Sequence, residues 1–286
     1  MFIEKKKGIV LISIVCVVFA SVYVLAKKRP PRALIPILLY HDINTKESRY
    51  SVTPHNFRAH LEKLWQAGFV TARLEDVLTN KEHIRNKKIV LLRFDDSRRS
   101  QCNYLIKENG TSYLDPDCAA GILLEFYKTH PSFGKHALFC IIPLECFGQR
   151  KYCKDKCLFL LKEGMELVNH GFYHVDLTQA TPDEIDANFG KAMNFWHSLL
   201  GPDRADTIIS VATPYGTQPS NNEARQRLHC FSYQGKTYHQ KAVLYAGKKF
   251  NKTAHTPLCP HFDPYCLPAL EVTNSNFDRI LSRISY

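Results

Sequence analysis

Two adjacent carboxylates follow an apolar segment and are the first candidates for chemistry. The segment Ile89–Phe94, interrupted only by Arg93, is followed directly by Asp95 and Asp96. A parallel barrel presents its active-site residues at the carboxyl ends of its strands. Neighbouring side chains on a strand point to opposite faces, but the chain turns at a strand end, so both carboxylates can reach one site. A capping or turn pair at the start of a loop fits the same residues.

Two histidines four residues apart, His170 and His174, form the second candidate. On a helical turn this spacing places both imidazoles on one face, where they can bind one metal ion. A pair of surface histidines is the alternative, because the chain contains 13 histidines. Joined by one carboxylate of the aspartate pair, they form a set of two imidazoles and a carboxylate that leaves positions open for water and substrate.

Another predicted strand ends in a titratable side chain. The segment Pro36–Asp42 is apolar up to Tyr40 and then reaches His41. A parallel barrel would place His41 on the same rim as Asp95, where it could act as an acid. A histidine that only forms a hydrogen bond at the strand end is equally compatible with the sequence.

Residues 212–216 follow a predicted strand and favour a tight turn. Pro214 fixes its own φ angle, and Gly216 tolerates a positive φ angle. A rigid turn of this kind can direct backbone N–H groups, including that of Tyr215, at a developing oxyanion. A plain connecting turn is the alternative.

The elements around these residues alternate between strand and helix patterns. Predicted strands cover residues 35–40, 88–94, 137–142, 208–212 and 242–246, and predicted helices cover residues 53–68, 117–130, 181–200 and 223–228. Such alternation favours a parallel sheet, either closed into a barrel or open and doubly wound, and we prefer the barrel.

The N-terminus has the pattern of a membrane anchor. Residues 8–26 are uncharged, lie between basic clusters, and approach the roughly 20 residues that a membrane-spanning helix needs. A cleaved signal peptide is the alternative, because Val24–Ala26 is similar to a cleavage site. We therefore expect a segment 1–29 that anchors or exports a domain of residues 30–286. That domain would lie outside the cytoplasm, and it would be secreted if the segment is cleaved.

Charge and cysteine content restrict the remaining function classes. The net charge is +11, but residues 1–29 contain six lysines or arginines and one glutamate, which leaves +6 for the remainder. Without a basic run that alternates with aromatic residues, nothing indicates nucleic-acid binding. Nine of the ten cysteines follow the apolar run, and in an exported domain we expect disulfides with one thiol left over. Cys146, Cys153 and Cys157 lie close together in the chain, as do Cys259 and Cys266. A structural zinc cluster is a less favoured alternative, because neither group has a Cys-x-x-Cys spacing.

In this order, the four segments resemble the polysaccharide deacetylase family with NodB homology. Phe94-Asp95-Asp96 is similar to the family's Thr-Phe-Asp-Asp motif, residues 170–174 to its two-histidine motif, and residues 212–216 to its proline, aromatic and glycine turn. The Leu-Leu-Tyr-His-Asp stretch within Pro36–Asp42 is similar to that of poly-N-acetylglucosamine deacetylases of exopolysaccharides. Residues 263–272 are similar to the closing strand, so the likeness covers about residues 35–272.

The resemblance implies a distorted, seven-stranded (β/α) barrel that removes N-acetyl groups from an N-acetylglucosamine-containing polysaccharide. Three residues would hold a divalent metal, usually zinc: Asp96, His170 and His174. Two side chains would transfer protons: the base Asp95 and the acid His41. The turn would supply the backbone N–H of Tyr215 to the oxyanion, and it would bind substrate through Pro214 and Gly216.

Two positions depart from the family's usual pattern. Ala212 stands where much of the family has an arginine that orients the base, although some relatives share this difference, and Arg93 stands where threonine is usual. Residues 93 and 95 share one face of a strand, so Arg93 could pair with Asp95 in place of the missing arginine. A solvated or phosphate-binding Arg93 is the alternative.

The enzyme is the leading hypothesis, with an exopolysaccharide or cell-wall glycan as substrate. A surface glycan-binding module that keeps the metal site without turnover is the second hypothesis, because of Ala212 and Arg93. A redox or disulfide-scaffold protein that uses the cysteines is the third, and the least favoured.

Overall fold

Parallel strands form the centre of the protein. A computed structural model of the chain describes residues 34–79, 84–85 and 87–285. The central strands are, in chain order, β1 (Ile37–Tyr40), β2 (Phe69–Thr71), β3 (Lys88–Phe94), β4 (Leu138–Ile141), β5 (Glu166–Asn169), β6 (Ser210–Ala212), β7 (Ala242–Tyr245), β8 (Leu267–Pro268) and β9 (Leu270–Glu271).

The sheet closes into a barrel through its last segment. Its strand order is β8-β7-β6-β5-β4-β3-β1-β9, and every pairing is parallel. Strand β8 pairs with β7 and strand β9 pairs with β1, and only Ala269 separates β8 from β9. The segment Leu267–Glu271 therefore joins both edges of the sheet. Because β2 pairs with the first half of β3 as an additional strand, the barrel is irregular.

Helices surround the barrel, and several begin at caps that the sequence encodes. They are α1 (Pro54–Gln66), α2 (Leu74–Thr79), α3 (Ala119–Thr129), α4 (Cys153–Lys162), α5 (Pro182–Leu200), α6 (Pro202–Ala205), α7 (Asn222–Arg227) and α8 (Phe277–Ile284). The side chain of Thr181 caps α5 and Glu184 completes a capping box, which satisfies N–H groups at the helix start. The alternation predicted from the sequence is confirmed.

Short pairs of antiparallel strands form separate sheets outside the central one. They are Leu34–Ile35 with Ala254–His255, Tyr104–Ile106 with Ser112–Leu114, and Cys230–Tyr233 with Lys236–His239. Near the rim, Asp42–Ile43 pairs in parallel with Ser51–Val52.

Two hydrophobic clusters lie on opposite faces of the strands. In β3, Val90 and Leu92 belong to the cluster that includes most of the helices, whereas Ile89 and Leu91 belong to the cluster of the barrel interior, which also includes residues of α2. This division follows the alternation of side chains along a strand. Arg93 lies on the same face of β3 as Ile89 and Leu91. Its guanidinium is therefore buried inside the barrel, near the carboxyl end of the strand.

The expected disulfide framework is wrong in the described part of the chain. Only Cys146 and Cys153 form a disulfide there, and the other seven described cysteines are thiols. Four of these thiols are buried, and burial raises the pKa of each of them. They therefore stay protonated and pack as small apolar residues of the core. They are Cys102, Cys118, Cys140 and Cys157.

The predicted anchor at residues 8–26 lies outside the described residues, as does the whole segment 1–29. Within the part of the chain that is described, we find no helix with the length and apolar character needed to cross a bilayer.

Candidate metal centre at the carboxyl ends of the strands

The chain leaves β3 through a left-handed turn that brings both aspartates to one cavity. Asp96 and Ser97 have φ angles of 77° and 49°, values that residues other than glycine rarely adopt. The Ser97 hydroxyl stabilises the turn, since it accepts a hydrogen bond from Ile142 N at 2.7 Å and donates one to the Cys140 carbonyl at 3.3 Å. Asp95 and Asp96 both line a cavity of about 470 Å³. The predicted turn at the strand end is confirmed.

Asp95 is held by a buried, two-pronged ion pair with Arg93. Arg93 Nε and Nη2 donate to Asp95 Oδ1 and Oδ2, each at 2.7 Å, and Nη1 donates to the Tyr245 carbonyl at 3.1 Å. Burial alone would raise the pKa of Asp95, but Arg93, with smaller contributions from His170 and His41, holds that pKa below its ordinary value. Asp95 is therefore an ionised carboxylate of fixed orientation. The pairing proposed for Arg93 from the sequence is present.

His170 is oriented by a backbone carbonyl and directs its other nitrogen at the carboxylates. Its Nδ1 donates to the Ala212 carbonyl at 2.8 Å, which leaves the Nε2 lone pair available. Nε2 is buried and has no hydrogen-bond partner among the described residues, and it lies 3.4 Å from Asp96 Oδ1. A metal-ligating imidazole commonly has this arrangement, in which a carbonyl fixes the tautomer.

His174 completes a set of three ligands. His174 Nε2 lies 3.1 Å from Asp96 Oδ1, and one donor atom from each of Asp96, His170 and His174 lies within 4.8 Å of the others. No other group of three or more histidine, cysteine or acidic side chains reaches this proximity in the described ranges. With the unpartnered His170 nitrogen, the three residues fit a divalent ion that prefers nitrogen and oxygen donors.

The helical turn expected for residues 170–174 is wrong. Residues His170–Leu177 form a loop, because Gly171 has a φ angle of 79° and ends the extended backbone of β5. Asn188, on α5, holds this loop. Its Oδ1 accepts from Phe172 N at 2.9 Å and from Tyr173 N at 2.8 Å, and its Nδ2 donates to the Tyr173 carbonyl at 3.2 Å. The two imidazoles therefore converge through loop geometry rather than helical spacing.

The turn after β6 packs tightly against the end of β7. Gly216 has a φ angle of 63°, and a Cβ atom there would lie 2.5 Å from the Ala246 carbonyl carbon, so only glycine fits. Tyr215 has a φ angle of 55° and exposes 62% of its surface, and its ring lies 4.4 Å from that of His174. Pro214 is buried beneath the turn and is absent from the cavity wall. The turn predicted from the sequence is present.

His41 also lines the cavity, in agreement with its predicted position on the same rim of the barrel as Asp95. Its ring lies 5.2 Å from that of Tyr50, and its carbonyl accepts a hydrogen bond from Gln101 at 2.6 Å. Several further residues of the wall carry no motif that the sequence would reveal. Arg98 Nη2 lies 3.1 Å from Asp96 Oδ2, and Arg49 and Tyr50 belong to a strand connection without a recognisable motif.

Comparison with solved structures identifies the fold. The described fold is that of polysaccharide deacetylases, so the resemblance seen in the motifs is confirmed at the level of fold. No protein-family model matches the sequence, and no curated protein matches it significantly.

Three solved structures illustrate the likeness. The Streptococcus pyogenes deacetylase PplD, solved in complex with acetate, has a TM-score of 0.63 at 21% identity over 89% of this chain and 99% of its own. IcaB from Ammonifex degensii has a TM-score of 0.59 at 16% identity over 90% and 99% of the two chains. A polysaccharide deacetylase from Bacillus cereus has a TM-score of 0.63 at 14% identity over 88% and 69%.

Replacing Asn188 tests how the loop positions its histidines. Asn188→Ala removes three hydrogen bonds to Phe172 and Tyr173, so His174 should lose its fixed position and the zinc affinity should fall about 10-fold. Competition with a chromophoric chelator measures this affinity. Asn194→Ala is the matched control, because its side chain lies on the same helix and, within the described residues, bonds only the exposed Gln234. Equal zinc affinities for the two variants would contradict the role of Asn188.

Proposed function

We propose that the protein is a metal-dependent deacetylase that removes N-acetyl groups from an N-acetylglucosamine-containing polysaccharide. One observation carries the proposal: the Asp96, His170 and His174 donor atoms lie within 4.8 Å of one another, beside an ionised Asp95 that Arg93 orients. A fold of this kind hosts different activities, so the residues of the site, rather than the fold, support this reaction. The solved deacetylases of similar fold support the reaction class.

Asp95 is suited to be the general base. It is ionised, it lines the cavity, and both of its oxygens are held by Arg93, so it can take a proton from a water without first reorienting. A divalent ion bound by the three ligands, most simply zinc, would polarise the amide carbonyl and lower the pKa of a water. Because Arg93 comes from the strand that carries Asp95, the orienting cation does not depend on residue 212.

His41 and the turn at residues 214–216 provide the remaining roles. His41 lines the cavity with Asp95 and can donate a proton to the departing amine nitrogen. The left-handed backbone at Tyr215 is fixed by the close approach of Gly216 to Ala246, which suits its N–H to a developing oxyanion. Pro214 would support this turn from below, while Gly216 lines the cavity itself.

Equivalent substitutions at the two neighbouring aspartates test the division of roles. Asp96→Asn should abolish both zinc binding and acetate release, because it removes a ligand charge. Asp95→Asn should keep zinc and slow acetate release at least about 100-fold, because it removes the base. Metal content and acetate released from N-acetylglucosamine oligomers by the full-length protein in detergent measure both effects.

Two results would contradict the proposal. Acetate release by Asp96→Asn at the wild-type rate would remove the metal from the reaction. A wild-type protein that binds zinc and the oligomers without releasing acetate would instead support the glycan-binding module.

The pair of Arg93 and Asp95 predicts a specific pH effect. Arg93→Gln removes the cation that lowers the pKa of Asp95, so that pKa should rise and the base should stay protonated up to a higher pH. The acid limb of the kcat/KM profile should therefore shift to higher pH. Arg93→Lys keeps the charge and should shift it less. An unmoved acid limb in a folded Arg93→Gln variant would contradict the effect of Arg93 on the pKa of Asp95.

We further propose that residues 8–26 anchor the protein, with the catalytic residues outside the cytoplasm next to an extracytoplasmic glycan. The support is the uncharged run between basic clusters. In fractionated cells the full-length chain should remain in the membrane after alkaline carbonate washing and be released by detergent. A chain released to the medium with its new N-terminus after Ala26 would identify a signal peptide instead. An uncleaved chain in the soluble fraction would contradict both.

A further inference from the structure

A second cavity adjoins the candidate metal centre. It has a volume of about 580 Å³ and lies between helix α5 and residues His170–Leu177, which we call the histidine loop. Tyr173 lines this second cavity, and the next residue in the chain, His174, lines the first. Adjacent residues of one loop therefore contribute to the walls of both cavities.

The wall of the second cavity presents apolar side chains to solvent. Tyr173 exposes 46% of its surface and Val175 exposes 45%. Large apolar side chains are stabilised by leaving water, and a group of them with a polar rim is a common feature of binding sites. Lys191, Gln179 and Asp176 supply polar groups around these two residues.

The aromatic ring at the centre of this wall is held in place. Lys191 Nζ donates to the Tyr173 hydroxyl at 2.6 Å and lies 4.7 Å from the Tyr173 ring centroid and 4.2 Å from that of Phe172. Asn188 fixes the Tyr173 backbone, as described above. A ligand that stacks on a ring already ordered in this way loses less of its binding energy to ordering the protein.

We infer that the second cavity is a subsite for sugar units that flank the reacting unit of the same glycan chain. This inference rests on the proposed function. A pyranose ring has a face of C–H groups that can stack on Tyr173 and a rim of hydroxyl and acetamido groups that can bond to Lys191 and Gln179. The rim carries the opposite charges of Lys191, Asp176 and Glu184, which suits an uncharged, hydroxyl-rich ligand.

The position of the subsite gives it a role in the reaction. A polymer whose reacting unit lies in the first cavity reaches Tyr173 when it crosses the histidine loop, because Tyr173 is adjacent in the chain to His174 of the first cavity. Contacts with units that do not react provide binding energy that holds the reacting amide in place. Long oligomers should therefore bind more tightly than a disaccharide, which is too short to reach both cavities.

Direct titration of N-acetylglucosamine oligomers tests the subsite. The full-length, zinc-loaded protein carrying Asp95→Asn is used, so that binding is measured without turnover. Adding Tyr173→Ala should weaken hexasaccharide binding about 10-fold and change disaccharide binding by less than about 2-fold. Tyr173→Phe keeps the ring and should keep most of the hexasaccharide affinity.

Tyr113→Ala is the matched control. Tyr113 exposes 43% of its surface and has Lys107 Nζ 5.5 Å from its ring centroid, yet it lines neither cavity. Its replacement should leave binding of both oligomers unchanged.

Several outcomes would overturn the subsite: undiminished hexasaccharide binding in Tyr173→Ala, an equal loss for both oligomers, or no hexasaccharide binding before Tyr173 is replaced. Failure of the proposed reaction is distinguishable, because the wild-type protein would then release no acetate from any oligomer. A hexasaccharide affinity that still depends on Tyr173 would establish the subsite in that case too.

Discussion

The chain bends out of β3 through two consecutive residues with positive φ angles, Asp96 and Ser97, although neither is glycine. Each such residue costs on the order of 1–3 kcal/mol of backbone strain, so surrounding contacts must compensate for it. Ser97 supplies two of them, through Ile142 N and the Cys140 carbonyl. Without this bend, adjacent aspartates would point to opposite faces of the strand, and only one could reach the cavity. The rest of the site is arranged around the two carboxylates that the bend brings together.

Bringing carboxylates together in a buried place requires compensating charge. Arg93 neutralises Asp95 from inside the barrel, where removal of one partner from a buried pair typically costs about 3–5 kcal/mol. Asp96 instead faces two imidazoles, since its Oδ1 lies 3.4 Å from His170 Nε2 and 3.1 Å from His174 Nε2. The two carboxylates therefore have different partners, as the proposed roles of base and metal ligand require. Position 212 contributes its backbone carbonyl, which orients His170.

The sequence predicts those parts of the fold in which local chemistry decides the outcome. Strand Lys88–Phe94 has the expected bounds, because its apolar residues are buried in the sheet and the two aspartates that follow it mark its end. Helix Pro182–Leu200 begins where its capping box predicts. The histidine loop was predicted incorrectly because a spacing of four residues suits a helix, and the partner that determines the loop, Asn188, lies on a distant helix. The cysteines were predicted incorrectly because their pairing depends on proximity in space, which spacing along the chain does not reveal.

X-ray absorption spectroscopy of the zinc-loaded, full-length protein measures directly whether Asp96, His170 and His174 bind one metal ion. Coordination by these three residues predicts one zinc per chain with imidazole scattering from two histidines, an oxygen-rich remainder and no sulfur. Sulfur ligands, or a spectrum without imidazole scattering, would contradict it, because the zinc would then bind elsewhere than between Asp96, His170 and His174.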